Sequence, residues 1–290
     1  MAIRGVIPQG SRAPHRPATA PPSAAPRRAH ELRLMWRNTR MVVLSVLTAA
    51  LYAAVLVPFK VVPLIPGVTE LRPGNAIPVV CSFLFGPAAA WGSAIGNMIG
   101  DFFGGVGPGD VFGFFANLAY GYIPYKVWTI VAAPDQSPVA LTPGTLARYV
   151  LAALAASMLC ADLVGWGDNL LALRPFWVLG NIIIMNNMVA AIVLAPLLLA
   201  AIYPRVRRAH LLFTDLMPEI EASARPRRLV GFAMLLGGEV TAWLAGNLVS
   251  AGYWRPALVP AAFNVAPYTR AVALTVSPAI VIAIIGMLLL

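Results

Sequence analysis

Charged side chains are scarce in this sequence. Asp, Glu, Lys and Arg make up 11% of its 290 residues, whereas about a quarter of the residues in an average soluble domain are charged. Hydrophobic residues make up 59% of the chain, and one water-soluble core cannot bury that much apolar surface. The composition argues against an ordinary soluble protein and indicates that lipid is the solvent for part of the chain.

Cysteine and histidine are also rare. The two cysteines, Cys81 and Cys160, lie in apolar segments without a CxxC motif, so we interpret them as small buried hydrophobic residues. The three histidines, His15, His30 and His210, lie in polar, arginine-rich segments. This scarcity argues against a histidine-based metal or catalytic centre, and we expect neither a metal nor a cofactor.

Several motifs of self-sufficient membrane proteins are missing. The chain has no Gly-x-x-x-x-Gly-Lys-Ser/Thr phosphate loop, so it cannot itself supply a P-loop ATPase. It has no HExxH or DDxxD motif, no Ser/Lys pair at a suggestive spacing, and no internal repeat typical of secondary transporters. A binding subunit is therefore favoured over a carrier or an enzyme.

Long apolar runs are what the sequence does contain. A helix needs about 20 apolar residues to cross the hydrocarbon layer of a bilayer. We predict six spans in a main body and two after it: 41–59, 75–86, 88–104, 111–130, 144–166 and 176–203, then 229–250 and 271–290. The predicted fold class is all-α, a polytopic transmembrane helix bundle.

These spans divide the chain into four predicted parts. Residues 1–38, rich in Pro, Ala and Arg, are predicted to be a disordered basic arm. Residues 39–208 form the six-span body that binds substrate, 209–228 a connector, and 229–290 two additional transmembrane spans.

Basic residues are distributed unevenly between the two ends of the predicted spans. With the N-terminus in the cytoplasm, sixteen Lys and Arg residues fall inside and five outside. Cytoplasmic loops carry an excess of Lys and Arg. We therefore predict a multi-pass protein of the cell membrane with a cytoplasmic N-terminus, arm and connector.

Span 88–104 combines a glycine ridge with two polar residues. Glycines recur every four residues at 92, 96, 100 and 104, which predicts a smooth face for close helix packing. Asn97 and Asp101 are spaced i, i+4 and therefore lie on one side of the helix. An ionisable group inside the bilayer costs roughly 2.5–3.5 kcal/mol on insertion scales and usually faces a cavity or a partner. A structural hydrogen bond between helices is the alternative for this pair.

Other polar and aromatic residues are predicted at a similar outer level. Together they predict an outward-facing pocket for a small solute, although each aromatic residue alone is typical of an interfacial belt. The predicted substrate-binding residues are Glu70, Arg72, Asn75, Asn97, Asp101, Asn117, Tyr120, Asp162, Trp166 and Asn181. Asn186 and Asn187, nearer the middle of a span, are left open between packing and binding.

The first span carries small residues instead of such polar groups. Ala49 and Ala53 are four residues apart, as are Ala50 and Ala54. Small residues at this spacing give a flat face suited to another helix. Packing within the chain and docking of a partner both remain open from this pattern.

A known family shares several of these features. The segment Glu-Leu-Arg-Pro-Gly-Asn-Ala-Ile-Pro at 70–78, Phe-Gly-Pro at 85–87 and the glycine-rich stretch 91–105 resemble the substrate-binding S components of energy-coupling factor (ECF) transporters. The alanine pair of the first span is similar to the coupling motif of that family. The resemblance covers about residues 38–208, and the arm and the last two spans depart from it.

This resemblance implies a function and a set of partners. S components bind a vitamin or related micronutrient in the outer half of the bundle. They dock onto a transmembrane T subunit, and two cytoplasmic ATPases drive uptake. Ala49 and Ala53 would match the docking motif, and the loop 60–74 would match the lid over the pocket.

Two other functions remain open at this point. A membrane-embedded enzyme could use Asp101, Asp162 and Glu239 as acid–base groups, and a structural or assembly subunit would need its polar groups only for helix packing. The substrate is not fixed either. Acids, amides and aromatics suit a flat, polar heteroaromatic compound, and riboflavin-like, thiamine-like and queuosine-precursor-like compounds fit equally.

Overall fold

The structure is a computed structural model that describes residues 30–59, 63–65, 69–70, 72–133, 136–139, 142–218, 225–255 and 269–290. Every element named below belongs to the compact unit Glu31–Leu290. Its α-helices are α1 (Glu31–Leu34), α2 (Thr39–Phe59), α3 (Ala76–Phe85), α4 (Pro87–Gly104), α5 (Asp110–Val131), α6 (Pro143–Leu170), α7 (Phe176–Val189), α8 (Ala195–Arg208), α9 (Phe213–Leu216), α10 (Arg225–Ser250) and α11 (Thr269–Leu289). Two short antiparallel strands, β1 (Pro63–Ile65) and β2 (Thr69–Glu70), lie between α2 and α3.

The fold is the predicted all-α polytopic bundle. Within the described parts of the chain, five helical segments are long and apolar enough to cross a membrane: α2, α6, the continuous segment from α7 to α9, α10 and α11. Helix α3 has ten residues and is therefore about 15 Å long, half the thickness of the hydrocarbon layer. Helices α4 and α5 pack against α2, α3 and α6 and complete the body.

The tight turn predicted at Gly86-Pro87 is confirmed. Gly86 has a φ of +52°, a region that glycine adopts at little cost. Pro87 is the first residue of α4, where its missing N–H costs nothing. A Cβ on Gly86 would lie 2.8 Å from the Phe213 ring, so α9 packs directly on this turn.

The glycine ridge of α4 is confirmed for three of its positions, and its partner is α2. A Cβ on Gly92 would lie 2.5 Å from the Thr48 side chain, and one on Gly100 would lie 2.5 Å from the Leu56 side chain. Ala49 and Ala53 are buried, and the Ala49 carbonyl lies over Gly96. Small residues on both helices therefore allow their backbones to approach closely.

We expect Gly96→Ala to destabilise the body. Its Cβ would lie 2.8 Å from the Ala49 carbonyl oxygen and 3.0 Å from Tyr52 Cβ, so helix α2 must shift. Overpacking of this kind costs about 1–3 kcal/mol. Thermal unfolding in detergent measures the loss.

The matched control for this prediction is Gly237→Ala, because a Cβ on Gly237 meets no atom within 4 Å. The control should unfold at the wild-type temperature or slightly above it, since alanine favours a helix more than glycine does. Equal stability of Gly96→Ala and wild type would contradict the close packing of α2 on α4.

Helix α1 lies within the last residues of the predicted disordered arm. Glu31 Oε1 accepts hydrogen bonds from the hydroxyls of Tyr122 at 2.6 Å and Tyr125 at 2.9 Å, and it pairs with Lys126 Nζ at 2.9 Å. The Trp91 indole N–H donates to the Leu32 carbonyl at 2.9 Å. The chain is therefore anchored on α4 and α5 from Glu31 onward, which differs from the disorder predicted up to residue 38.

The Glu31 contacts make this anchor sensitive to acid. Burial raises the pKa of Glu31, but the Lys126 ammonium and the tyrosine hydroxyls outweigh burial and hold the pKa below its ordinary value. Because the pKa in the fold lies below that of the unfolded chain, the anchor stabilises the fold at neutral pH. That contribution is lost as the pH falls through the lowered pKa.

The segment from α7 to α8 contains a π-helical turn at Ala190–Leu194. The Tyr149 hydroxyl donates to the Ala191 carbonyl within this turn at 2.7 Å. Turns of this kind occur mostly as single bulges inside α-helices, frequently near functional sites. Here the bulge directly follows Asn186 and Asn187, the pair left open by the sequence.

The two predicted C-terminal spans, α10 and α11, form a closely packed helix pair, called the C-terminal pair below. A Cβ on Gly286 would lie 2.4 Å from Leu235 N, and one on Gly238 would lie 2.6 Å from Ala283 N. The pair packs against α6 and α7 of the body. Helix α10 begins at Arg225, four residues before the predicted start of its span.

Candidate functional site

A cavity of about 500 Å³ lies at the end of the bundle where α4 and α6 end, called the cavity end below. Its volume falls within the usual range for small-molecule sites. Helices α2, α4, α5, α6 and α7 all contribute to its wall. The lining residues are Tyr52, Arg72, Asn75, Asn97, Asp101, Gly105, Gly107, Gly109, Asp110, Gly113, Asn117, Cys160, Val164, Asp168, Leu173, Arg174, Leu179, Ile183, Asn186 and Asn187.

Amides and tyrosine hydroxyls are joined by hydrogen bonds along one wall of the cavity. The Tyr52 hydroxyl lies 2.9 Å from Asn75 Oδ1 and 3.1 Å from Asn117 Oδ1. Asn75 Nδ2 donates to Asn187 Oδ1 at 2.6 Å. The Tyr120 hydroxyl lies 3.1 Å from the Asn75 carbonyl and 3.3 Å from the Asn187 carbonyl. These bonds connect α2, α5 and α7 to the turn that leads into α3 and hold the amides in place.

The predicted pair on α4 occupies another part of the wall. Asn97 Nδ2 donates to Asp101 Oδ2 at 2.6 Å. Gly113 of α5 lies opposite, and a Cβ there would come within 3.3 Å of Asn97 Nδ2 and 3.9 Å of Asp101 Oδ2. Glycine at 113 therefore leaves space in front of the pair.

Two buried amide atoms belong to residues that line the cavity. Asn97 Oδ1 and Asn187 Nδ2 are buried and have no hydrogen-bond partner among the residues that the structure describes. Most buried polar atoms in proteins are paired, and an unpaired one costs roughly 1–3 kcal/mol. The lining residues therefore hold one acceptor and one donor that the described part of the protein leaves unpaired.

Charged residues surround the mouth of the cavity. Arg174 Nη1 pairs with Asp168 Oδ2 at 3.1 Å, and Asp110 Oδ2 accepts from the Gly107 N–H at 2.8 Å. Arg72 also lines the cavity. The mouth therefore presents charges of both signs, which suits a polar solute better than a lipid tail.

The comparisons with known proteins decide which family this is. The family model described as QueT transporter matches residues 42–204, more than half of the chain. The chain belongs to the QueT transporter family. Members of this family are ECF-type S components, so the resemblance noted in the sequence is confirmed. No curated protein and no solved structure matches the chain.

Membership in the QueT family settles several predictions. The chain is a multi-pass membrane protein and a substrate-binding component of a transporter. It is a transporter component and not an enzyme. The matched region ends at residue 204, so the C-terminal pair lies outside it.

The structure brings half of the predicted site residues of this QueT family member together. Five of them line the cavity: Arg72, Asn75, Asn97, Asp101 and Asn117. Tyr120 is next to the cavity and reaches the backbone of two lining residues. The side chain of Glu70 and most of the predicted lid 60–74 lie outside the described residues.

The other three predicted residues face the C-terminal pair instead of the cavity. The Trp166 indole N–H donates to Ser277 Oγ at 3.0 Å. Asn181 Nδ2 donates to Asn247 Oδ1 at 2.6 Å, and Asn181 Oδ1 accepts from the Trp243 indole at 2.8 Å. Asp162 is completely buried one helical turn before Trp166, on the side of α6 that meets α11.

Sequence reasoning did not predict all of the lining residues. Tyr52 lies on the first span, which we interpreted as free of binding groups, yet its hydroxyl joins two amides of the cavity. A single tyrosine among small and aliphatic residues was the available signal. Asp168 and Arg174 were not singled out because they lie at a helix end, where charged residues are ordinary.

The alanines predicted to dock a partner face the inside of the body. Ala49 and Ala53 are 3% and 7% exposed, and Ala49 packs on Gly96 of α4. The neighbouring pair, Ala50 and Ala54, is exposed on the opposite side of α2, where Val46 and Leu51 are 63% and 44% exposed. The free small-residue face of the first span is therefore that of Ala50 and Ala54.

Proposed function

We propose that this chain binds a queuosine precursor for an ATP-driven ECF uptake transporter. One observation carries the proposal: the cavity wall combines the Asn97–Asp101 pair with unpaired amide atoms of Asn97 and Asn187. The QueT family is associated with queuosine precursors, which favours this class over riboflavin-like and thiamine-like compounds.

The chemistry of the cavity suits a 7-deazaguanine base, the core of such a precursor. One edge of this base presents adjacent N–H donors, and the Asp101 carboxylate and Asn97 Oδ1 are acceptors. The same base carries a carbonyl oxygen that can accept from Asn187 Nδ2. A ligand held this way would pair the amide atoms of Asn97 and Asn187, which is how polar sites gain specificity.

The proposed orientation places the N-terminus in the cytoplasm and the cavity end toward the outside of the plasma membrane. Arg205, Arg207, Arg208, Arg225, Arg227 and Arg228 all belong to the opposite end of the bundle, together with Lys126. The positive-inside rule supports this arrangement. Under the same proposal, residues 1–38 are the cytoplasmic arm, 39–208 the binding body, 209–228 the connector and 229–290 an added pair of spans.

The proposed partners are a transmembrane T subunit and two cytoplasmic ATPases. The chain has no phosphate loop of its own, so hydrolysis must come from another subunit. We assign docking to the exposed face of Ala50 and Ala54, since Ala49 and Ala53 are buried in the body. Small residues on a lipid-facing helix surface allow a partner helix to approach closely.

Calorimetric titration of the full chain in nanodiscs tests the proposed function. We expect the 7-deazaguanine precursor to bind tightly without ATP, whereas riboflavin and thiamine should not bind. Tight binding of another compound would refute the substrate class. Failure of every compound to bind or to raise the unfolding temperature would favour a structural subunit.

A further inference from the structure

Two buried carboxyl groups lie where the body meets the C-terminal pair, outside the cavity. Asp162 of α6 and Glu239 of α10 are both 0% exposed. Trp166, one helical turn after Asp162, donates to Ser277 of α11, and Gly238, the residue before Glu239, packs on Ala279 and Ala283 of the same helix. Both carboxyl groups therefore lie in the interface between α6 and the C-terminal pair. Glu239 lies beyond the region that the QueT family model matches, so the family assigns it no role.

Neither carboxyl has a compensating partner. All four oxygens, Asp162 Oδ1 and Oδ2 and Glu239 Oε1 and Oε2, lack a hydrogen-bond donor within the described segments. A buried carboxylate without a donor or a cation is very costly, and two neighbouring carboxylates cannot both stay ionised. At least one of the two must therefore carry a proton or meet a cation.

The cations on the helices packed around Asp162 and Glu239 lie far from both carboxyls. Helix α7 carries no titratable residue, and Arg270 of α11 lies nine residues before Ala279, which packs against Gly238, or roughly 13 Å along the helix axis. The arginines of α10 are residues 225, 227 and 228, eleven or more residues from Glu239, or about 16 Å along the helix axis. On α6 the neighbours are Cys160, which interacts electrostatically with Asp162, Tyr149, and Arg148 and Asp168 toward its ends.

We propose that Asp162 and Glu239 form a buried proton-binding site that joins the C-terminal pair to the body. At least one proton, taken from water, stays on the carboxyls as an O–H, so the two groups are not ionised together. A metal ion is less suited to this position, because no group of three or more His, Cys, Asp or Glu side chains gathers in the described residues. Two acidic side chains alone give a poor coordination shell.

The contacts around Asp162 and Glu239 show what the proton-binding site would control. Asn181, Trp166 and their partners on α10 and α11 are neutral, so their bonds do not change with pH. The carboxyl groups of Asp162 and Glu239 are different, because loss of the proton leaves two charges in an apolar interface. Helices α6 and α7 also supply Val164 and Ile183 to the cavity wall, so the site lies behind that wall.

Infrared difference spectroscopy of the full chain in nanodiscs tests the proposal directly. We expect wild type at neutral pH to show a protonated-carboxyl stretching band that the double variant Asp162→Asn/Glu239→Gln lacks. The control Asp215→Asn removes an exposed carboxyl and should leave the band unchanged. Identical bands in wild type and the double variant would overturn the proposal.

A pH series of unfolding temperatures gives an independent test. The wild-type temperature should fall as alkaline pH removes the proton, whereas the double variant should unfold at a constant temperature over the same range. If the double variant does not fold, the wild-type band and unfolding temperature must still decline together with rising pH. Stabilisation by added sodium or calcium with no pH response would show a cation site and overturn the proposal.

Discussion

Asp101→Asn should weaken binding of the 7-deazaguanine precursor by about 100-fold. The carboxylate of Asp101 lines the cavity and would accept charge-assisted hydrogen bonds from the base, each worth roughly 1.5–3 kcal/mol. An amide of the same size keeps the shape of the wall but replaces an acceptor with a donor. A loss of about 2.7 kcal/mol corresponds to the expected factor, and calorimetric titration measures it.

Two further variants make this expectation specific. Asn97→Ala removes the unpaired acceptor and should weaken binding about tenfold, in line with one neutral hydrogen bond. Asp215→Asn changes an exposed carboxyl at the other end of the bundle and should bind as wild type does. Wild-type affinity in folded Asp101→Asn and Asn97→Ala would remove the cavity as the substrate site.

Ala54→Trp should abolish uptake while leaving substrate binding intact. Ala54 is exposed on α2, and an indole there would hold a docking helix several ångströms away from the face of Ala50 and Ala54. The cavity would be untouched, because α2 contributes to it through Tyr52 on the opposite side. Uptake by cells that express the chain with its T subunit and ATPases, together with calorimetry on the purified chain, separates the two effects.

The control for this substitution is Ala233→Trp. Ala233 is an exposed alanine of α10 outside the region shared with the QueT family, so this variant should transport at the wild-type rate. Equal loss of uptake in both variants would point to a general insertion defect. Normal uptake by Ala54→Trp would remove the docking role from this face.

Much of the helix order could be predicted from the sequence. Apolar runs of span length, the Gly86-Pro87 turn and the four-residue glycine period each have a local physical cause, and each appears where that cause places it. The pair Asn97 and Asp101 lines the cavity because i, i+4 spacing puts both residues on the glycine-flanked side of α4.

The direction in which each polar residue points was harder to predict. In a soluble helix the polar face marks the solvent side, but in a bilayer both faces of a helix are apolar, so periodicity carries little information. Trp166 and Asn181 have the right depth for the cavity, yet they meet Ser277 and Trp243. The sequence gives no sign that the last two spans pack against α6 and α7, so these residues could not be told apart from those of the cavity.

The π-helical turn at Ala190–Leu194 bears on how this chain should be aligned with other members of its family. Such a turn amounts to one inserted residue in a regular helix, and each residue rotates a helix by about 100°. A relative without the bulge would therefore need a one-residue gap between Asn187 and Ala195. Without that gap, an alignment could match either Asn186 and Asn187 or the arginines of α8 to the corresponding residues of the relative, but not both.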